Sequence, residues 1–201
     1  MRGIEQIPWL YDAGMTILEH AGLGTFRTAL TADARGRTLD LGCGTGRNLP
    51  LLIPPAGPVV GLDPNPAVLA AARRRAPRAF LVQGRAEALP FRDGAFDTVV
   101  SGLVFCSVAA PARGLSEIRR VLGRGGRLQM LEHVRSSSAL AARIQDAAQP
   151  LWTWLTGGCH PNRDTEDAVR AAGFVIEPAT RRAQGSMRLF AARAGRVPPR
   201  R

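Results

Sequence analysis

The stretch Thr38-Leu39-Asp40-Leu41-Gly42-Cys43-Gly44-Thr45-Gly46-Arg47-Asn48-Leu49 decides the fold. Thr38 to Leu41 reads as a short strand, and Arg47 to Ile53 as a helix stopped by Pro54 and Pro55. Between them every second residue from Gly42 to Gly46 is glycine, so the backbone can turn tightly and approach a ligand closely. The helix that follows offers free N–H groups to a polar or negative group. In an open α/β sheet such a turn marks the crevice where ligands bind.

Strands and helices alternate downstream. Val59 to Leu62 is the second strand, and Pro66 opens an Ala-rich helix, Ala67 to Arg75. Ala79 to Val82 and Phe96 to Ser101 read as strands, Arg113 to Leu122 as a helix, and Gly126 to His133 as a further strand. The repeated βαβ pattern implies a parallel sheet covered on both faces. Leu140 to Leu155 has helical period but is interrupted by Pro150, and Thr165 to Ala172 is a short helix. Phe174 to Ile176 and Met187 to Ala192, joined around Gln184 and Gly185 without a crossover helix, should lie antiparallel. The segment Ile7 to Leu23 is expected to form one or two helices leaning over the sheet.

At 201 residues the chain suits one domain, with 45% apolar and 21% charged residues, an ordinary globular mixture. No apolar run approaches the ~18 residues of a membrane span, and Glu5 and Asp12 stand where a signal peptide would be basic. Net charge is +11, yet all 27 basic residues are arginine and they are dispersed, which speaks for a solvated basic surface and against specific nucleic-acid binding. Cys43, Cys106 and Cys159 are far apart in sequence, with no spacing for zinc or a redox dithiol. A reducing cytoplasm is expected, with peripheral membrane contact left open.

Asp63 ends the second strand, 17 residues past Gly46, where a carboxylate can accept hydrogen bonds from ribose hydroxyls. The spacing Gly-x-Gly-x-Gly differs from the Gly-x-Gly-x-x-Gly of dinucleotide binders, so a nicotinamide cofactor fits less well. With Val60-Gly61-Leu62-Asp63-Pro64-Asn65, Gly84-Arg85-Ala86-Glu87-Ala88-Leu89-Pro90-Phe91, Phe96-Asp97-Thr98-Val99-Val100-Ser101 and Glu117-Ile118-Arg119-Arg120-Val121-Leu122, the chain resembles the class I S-adenosylmethionine-dependent methyltransferases. The branch is that of the ubiquinone and menaquinone biosynthesis enzymes. Leu103-Val104-Phe105-Cys106-Ser107-Val108, Leu131-Glu132-His133-Val134 and Gly158-Cys159-His160-x-x-Arg163 are similar to a narrower group, the membrane-associated thiol methyltransferases and their bacterial relatives.

The resemblance implies a Rossmann-like, seven-stranded, mostly parallel sheet with an antiparallel last strand and helices on both faces. It implies one domain, with an N-terminal helical cap over residues 1–36, a cofactor core over 37–134 and a substrate-side segment over 135–201. It also implies S-adenosylmethionine as cofactor. Asp40 would help hold the methionine amino end, with Gly42, Cys43, Gly44, Thr45, Gly46 and Asn48 around it. Asp63 would take the ribose, Pro64 and Asn65 the adenine, Gly84, Arg85, Ala86 and Glu87 its edge, and Ser101, Gly102 and Leu103 the methionine portion. The chain departs from the family at Arg85, where an Asp often bonds the adenine amino group, and at Arg124, where proline is usual.

Methyl transfer needs an in-line nucleophile, exclusion of water and, for a protonated acceptor, removal of a proton. His133 and His160 are the candidate bases by position; each can equally be a hydrogen-bonded structural residue. Trp152 and Trp154, with Leu151 and Leu155, suit an apolar acceptor pocket, a membrane interface or the core beneath a lid. The leading expectation is an enzyme methylating a small lipophilic thiol, quinol or phospholipid-like molecule, with no metal. A nucleic-acid or protein methyltransferase, a non-catalytic cofactor-binding domain and, on fold alone, a dehydrogenase stay open.

Overall fold

A computed structural model describes residues 7–53, 57–136 and 138–195. The expected stop at Pro54 and Pro55 lies outside the described residues. Strand β1 (Thr38–Leu41) has all four residues buried, as a central strand should. It pairs in parallel with β2 (Val59–Asp63) on one side and β4 (Phe96–Gly102) on the other, and β3 (Phe80–Gln83) extends β2. Beyond β4 lies β5 (Leu122–His133), also parallel.

The last strands reverse direction. β8 (Met187–Ala194) runs antiparallel to β5 and carries β7 (Arg182–Gln184) and β6 (Phe174–Ile176) on its outer edge. The order is β3-β2-β1-β4-β5-β8-β6, with β7 paired to β8 off that path, so among the described residues the sheet has eight strands and not the expected seven. The extra strand, β7, is three exposed residues inside the expected turn, too short to register as a period-two pattern. β5 starts earlier than expected, because the glycine turn around Arg124 is taken up as a register shift against β4 between Phe96 and Thr98.

Alternation along the strands builds two apolar layers. Val99 of β4 and Leu128 and Met130 of β5 pack with Leu115, Ile118 and Val121 of α5 (Pro111–Val121) on one face. Val100 and Leu131 turn to the other face and meet Leu30, Leu49 and Leu52. That second layer belongs to α2 (Gly24–Ala32) and the short α3 (Leu49–Leu52), while α4 (Pro66–Arg75) starts at an Asn65 cap whose side chain accepts from Ala67 N.

The N-terminal helices extend past Leu23. α1 (Pro8–Leu18) passes through a π-helical turn, Glu19–Leu23, into α2. The turn forms where Gly22 adopts a φ of 118°, outside the helical region. Helix α6 (Ala139–Thr156) is continuous through Pro150, against expectation. Pro150 is exposed, so the carbonyl it leaves without a partner, that of exposed Asp146, is available to solvent. α7 (Thr165–Ala171) precedes β6.

Candidate functional site

The glycine turn after β1 holds Gly42, Gly44 and Gly46 at positive φ. A Cβ on Gly42 would sit 2.5 Å from Val104 Cγ2, whereas one on Gly44 would meet nothing within 4 Å. Gly42 is therefore required by close packing, and Gly44 leaves space for a ligand. Asp63, at the end of β2, accepts from Gly44 N at 3.0 Å and from Asn65 N at 2.9 Å. One carboxylate thus joins the turns after β1 and β2, and burial holds its pKa above the usual range.

Asp40 lies fully buried below this turn. Asn48 Nδ2 donates to its Oδ1 at 2.8 Å, and its Oδ2 has no partner among the described residues. Burial raises its pKa to about 7, against the opposing influence of Asn48 and Arg27. A buried carboxylate oxygen without a donor suits a nearby ammonium group. Cys43 is buried and its thiol is pushed up by burial, with Asp40 and Asp63 adding to the effect. Thr45 and Asn48 are also buried, their side chains committed to protein partners.

These residues border a cleft of about 640 Å³ at the carboxyl ends of the parallel strands. Of the sequence-predicted residues, Gly42, Gly44, Asp63, Pro64, Asn65, Arg85, Ala86, Glu87 and Leu103 line it. Asp40, Cys43, Thr45, Gly46, Asn48, Gly84, Ser101 and Gly102 do not; they stand behind or beside the lining and brace it. Glu87 faces the cleft but its Oε1 accepts from Ala109 N at 3.0 Å and Ala110 N at 3.3 Å.

Leu103 is the single non-glycine residue at positive φ among the described residues, at 62°. Such a conformation persists where the surroundings hold it. Here Leu103 N donates to Leu131 O at 2.7 Å, and Glu132 takes the next turn in hand. The Glu132 carboxylate is fully buried and accepts from Ser101 Oγ, Val104 N and Phe105 N at 3.1 to 3.3 Å. Burial raises it to about 7 although those bonds favour the charged form. From the far side Arg163 donates to Phe105 O and Val108 O, both at 2.6 Å. The three narrower sequence motifs thereby converge on the loop 103–108.

Neither histidine lines the cleft. His133 Nε2 is 2.5 Å from Ser186 Oγ, and burial lowers its pKa. His160 takes a bond from Gln149 Nε2 at 2.8 Å and is lowered by burial and by Arg163. The tryptophans are not core: Trp152 is 45% and Trp154 58% exposed, and neither borders the cleft. α6 continues through Pro150 and presents both to solvent.

The cleft also has walls the sequence reading missed. Tyr11 of α1, Ser107, Ala109, Thr156 and Gly157 line it. Nothing in the sequence pattern marks Tyr11, whose helix is tied down by charges. Asp12 accepts from Thr45 Oγ1 at 2.7 Å, Arg47 Nε at 3.0 Å and Arg75 Nη2 at 2.9 Å. Glu19, in the π-helical turn, pairs with Arg47 and with Arg27, and Arg27 donates to Asn48 Oδ1 at 2.5 Å. A continuous polar chain runs from α1 to Asp40.

A methyltransferase-domain family model matches residues 39–130. An uncharacterised methyltransferase from Synechocystis is 30% identical across 96% of this chain and 94% of its own length. The chain belongs to the class I S-adenosylmethionine-dependent methyltransferases. It is 35% identical to the thiol S-methyltransferase TMT1B of Rattus norvegicus over 68% of this chain, spanning 59% of that relative's length. A solved S-adenosylmethionine-dependent methyltransferase from Thermotoga maritima, 23% identical, superposes with a TM-score of 0.72 over 94% of this chain and 97% of its own. The unpaired Asp40 oxygen, the open space above Gly44 and Asp63 at the end of β2 fit the cofactor.

Proposed function

We propose that this methyltransferase acts on a small lipophilic acceptor and that the accepting atom is a thiol sulfur. The observation that carries this reading is the make-up of the cleft wall. Its ionisable side chains are Tyr11, Asp63, Arg85 and Glu87, and both carboxylates already accept backbone N–H groups. An acceptor that ionises near neutral pH needs little help from such a wall. A thiol, with a pKa of about 8.5, meets that condition far better than a phenol or an amine. Leu103, Val104, Val108 and Ala109 give the wall an apolar stretch for the rest of the molecule. The likeness to thiol S-methyltransferases supports the same class of acceptor.

S-adenosylmethionine supplies an already activated methyl group, so the protein's task is placement. Asp63 would bond the ribose, Asp40 would favour the methionine ammonium from below the glycine turn, and the Arg85 to Glu87 segment would border the adenine. Leu103, held by Leu131 O, and Val104, held by Glu132, would set the floor on which the acceptor meets the methyl carbon and would exclude water.

The test is to incubate the full chain with S-adenosylmethionine and matched lipophilic thiols, quinols and phospholipids, and to follow S-adenosylhomocysteine release. Turnover with the thiols above the other two sets is expected. Turnover confined to quinols or phospholipids would overturn the acceptor class while leaving the family unaffected.

A further inference from the structure

A helix resting on a fold turns its apolar face inward and its polar face to water. Helix α6 does the reverse. Its inward residues, Ala142, Gln145, Gln149, Thr153 and Thr156, stand three or four apart and are mostly polar. They hold the helix by hydrogen bonds: Gln145 Oε1 accepts from Ser136 N at 2.7 Å, Gln149 Nε2 meets His160 Nδ1 at 2.8 Å, and Thr153 Oγ1 donates to Cys159 O at 2.9 Å. Of the eighteen residues of α6, Ala142 and Thr156 alone are buried. The opposite face carries Leu140, Ile144, Leu151 and Leu155, between 42% and 71% exposed. At 100° per residue these four fall within about 60° of one another around the axis and make one stripe roughly 22 Å long. Trp152 and Trp154 flank it.

We infer that this stripe is the seam of a homodimer, in which α6 of a second copy of the chain lies antiparallel across a two-fold axis near Ala147 and Ala148. The spacing is the first reason. Leu140 and Ile144 stand four apart, Leu151 and Leu155 stand four apart, and the two pairs are symmetric about the midpoint between Ala147 and Ala148. A two-fold axis there sets Ile144 opposite Leu151 of the partner subunit and Leu140 opposite Leu155 of the partner subunit, and each contact occurs twice. At the axis itself the exposed side chains of Ala147 and Ala148 are small, so the backbones can approach to the about 8–10 Å of packed helices.

The area suits the same partner. At ~200 Å² for a large apolar side chain, the four stripe residues and the two tryptophans leave about 700 Å² exposed per copy, near the ~800 Å² per partner of a standard interface. The charge does not suit a lipid surface. A helix lying in a bilayer interface keeps a polar face rich in Lys and Arg. Here the polar face is turned into the fold, and Arg143 is the single basic residue of α6. A seam of this size is reversible, with dissociation in the range of about 1 to 100 µM. Thr156 and Gly157, where α6 ends, line the cleft, so the pairing braces that wall from outside.

The experiment is sedimentation velocity on the full chain across that concentration range. A reversible shift from 21.5 kDa towards twice that mass is expected. Ile144→Asp should hold the chain at the monomer mass throughout. Ile144→Asp combined with Leu151→Arg should recover the dimer, because the two-fold axis sets the new charge of one copy against the opposite charge of the other. Both positions are exposed, so each variant should bind S-adenosylhomocysteine as the wild type does. A monomer at every concentration, a dimer that survives Ile144→Asp, or no recovery in the double variant overturns the seam. Co-sedimentation of a monomeric wild type with vesicles of anionic phospholipid, abolished by Ile144→Asp, would assign the stripe to a lipid surface and overturn it equally.

Discussion

The two sides of the cleft are built by different means. On the side proposed for the cofactor the backbone itself carries the site: glycines at positive φ, and a carboxylate, Asp63, that fastens two turns through their N–H groups. On the side proposed for the acceptor the wall is assembled from α1, the loop 103–108 and the end of α6, held by side chains such as Arg163 and Asp12 that bond across the fold. Backbone geometry leaves little freedom to residue choice, whereas side-chain bracing can be met in many ways. The first side should fail sharply on substitution and the second by degrees.

Asp63→Ala gives the sharpest break, because it removes the carboxylate proposed to hold the ribose and unfastens the two turns. At ~1.5–3 kcal/mol for a bond to a charged group, S-adenosylhomocysteine affinity should fall about 100-fold by calorimetry. Gly42→Ala should follow, since its Cβ would overlap Val104 and φ stays positive. A loss of about 1–3 kcal/mol in denaturant unfolding is expected, with weaker cofactor binding.

Asp40 sharpens the comparison through pH. Its folded pKa of about 7 exceeds the unfolded value near 3.8, so the folded state holds the extra proton between those limits. Stability of the free protein should therefore fall as pH rises from about 4 to 7, by a contribution on the order of a few kcal/mol, and Asp40→Asn should reduce that slope. Glu132, raised in the same direction, keeps part of it. A bound ammonium reverses the bias, so cofactor binding near pH 6 should release a proton, visible as a buffer-dependent heat.

Asp12→Asn tests the other side. It weakens the links from α1 to Thr45, Arg47 and Arg75, and a rise of about threefold to tenfold in acceptor KM with a smaller change in cofactor affinity is expected. Trp154→Ser should do least. The ring is 58% exposed, so stability should change by less than about 0.5 kcal/mol.

The same division explains what the sequence revealed. The glycine turn, Asp63 and the alternating strands were legible because backbone conformation and period leave marks within a few residues. Tyr11 was not, because its place depends on Asp12 meeting arginines 35 and 63 positions away. Nor was the meeting of the loops that carry Cys106 and Cys159, where His160 N donates to Cys106 O at 2.8 Å, because it arises from the return of the chain after α6 to the β4 loop. Pro150 misled because propensity penalises a buried helix interior, and this one faces water.

Helix α1 has a kinetic consequence. Tyr11 lines the cleft and its neighbour Asp12 is latched to the glycine turn, so traffic through the cleft is coupled to breathing of the first helix. The latch is partly solvent-accessible and ionic. Added salt should therefore speed both entry and exit of the nucleoside while shifting its equilibrium occupancy little.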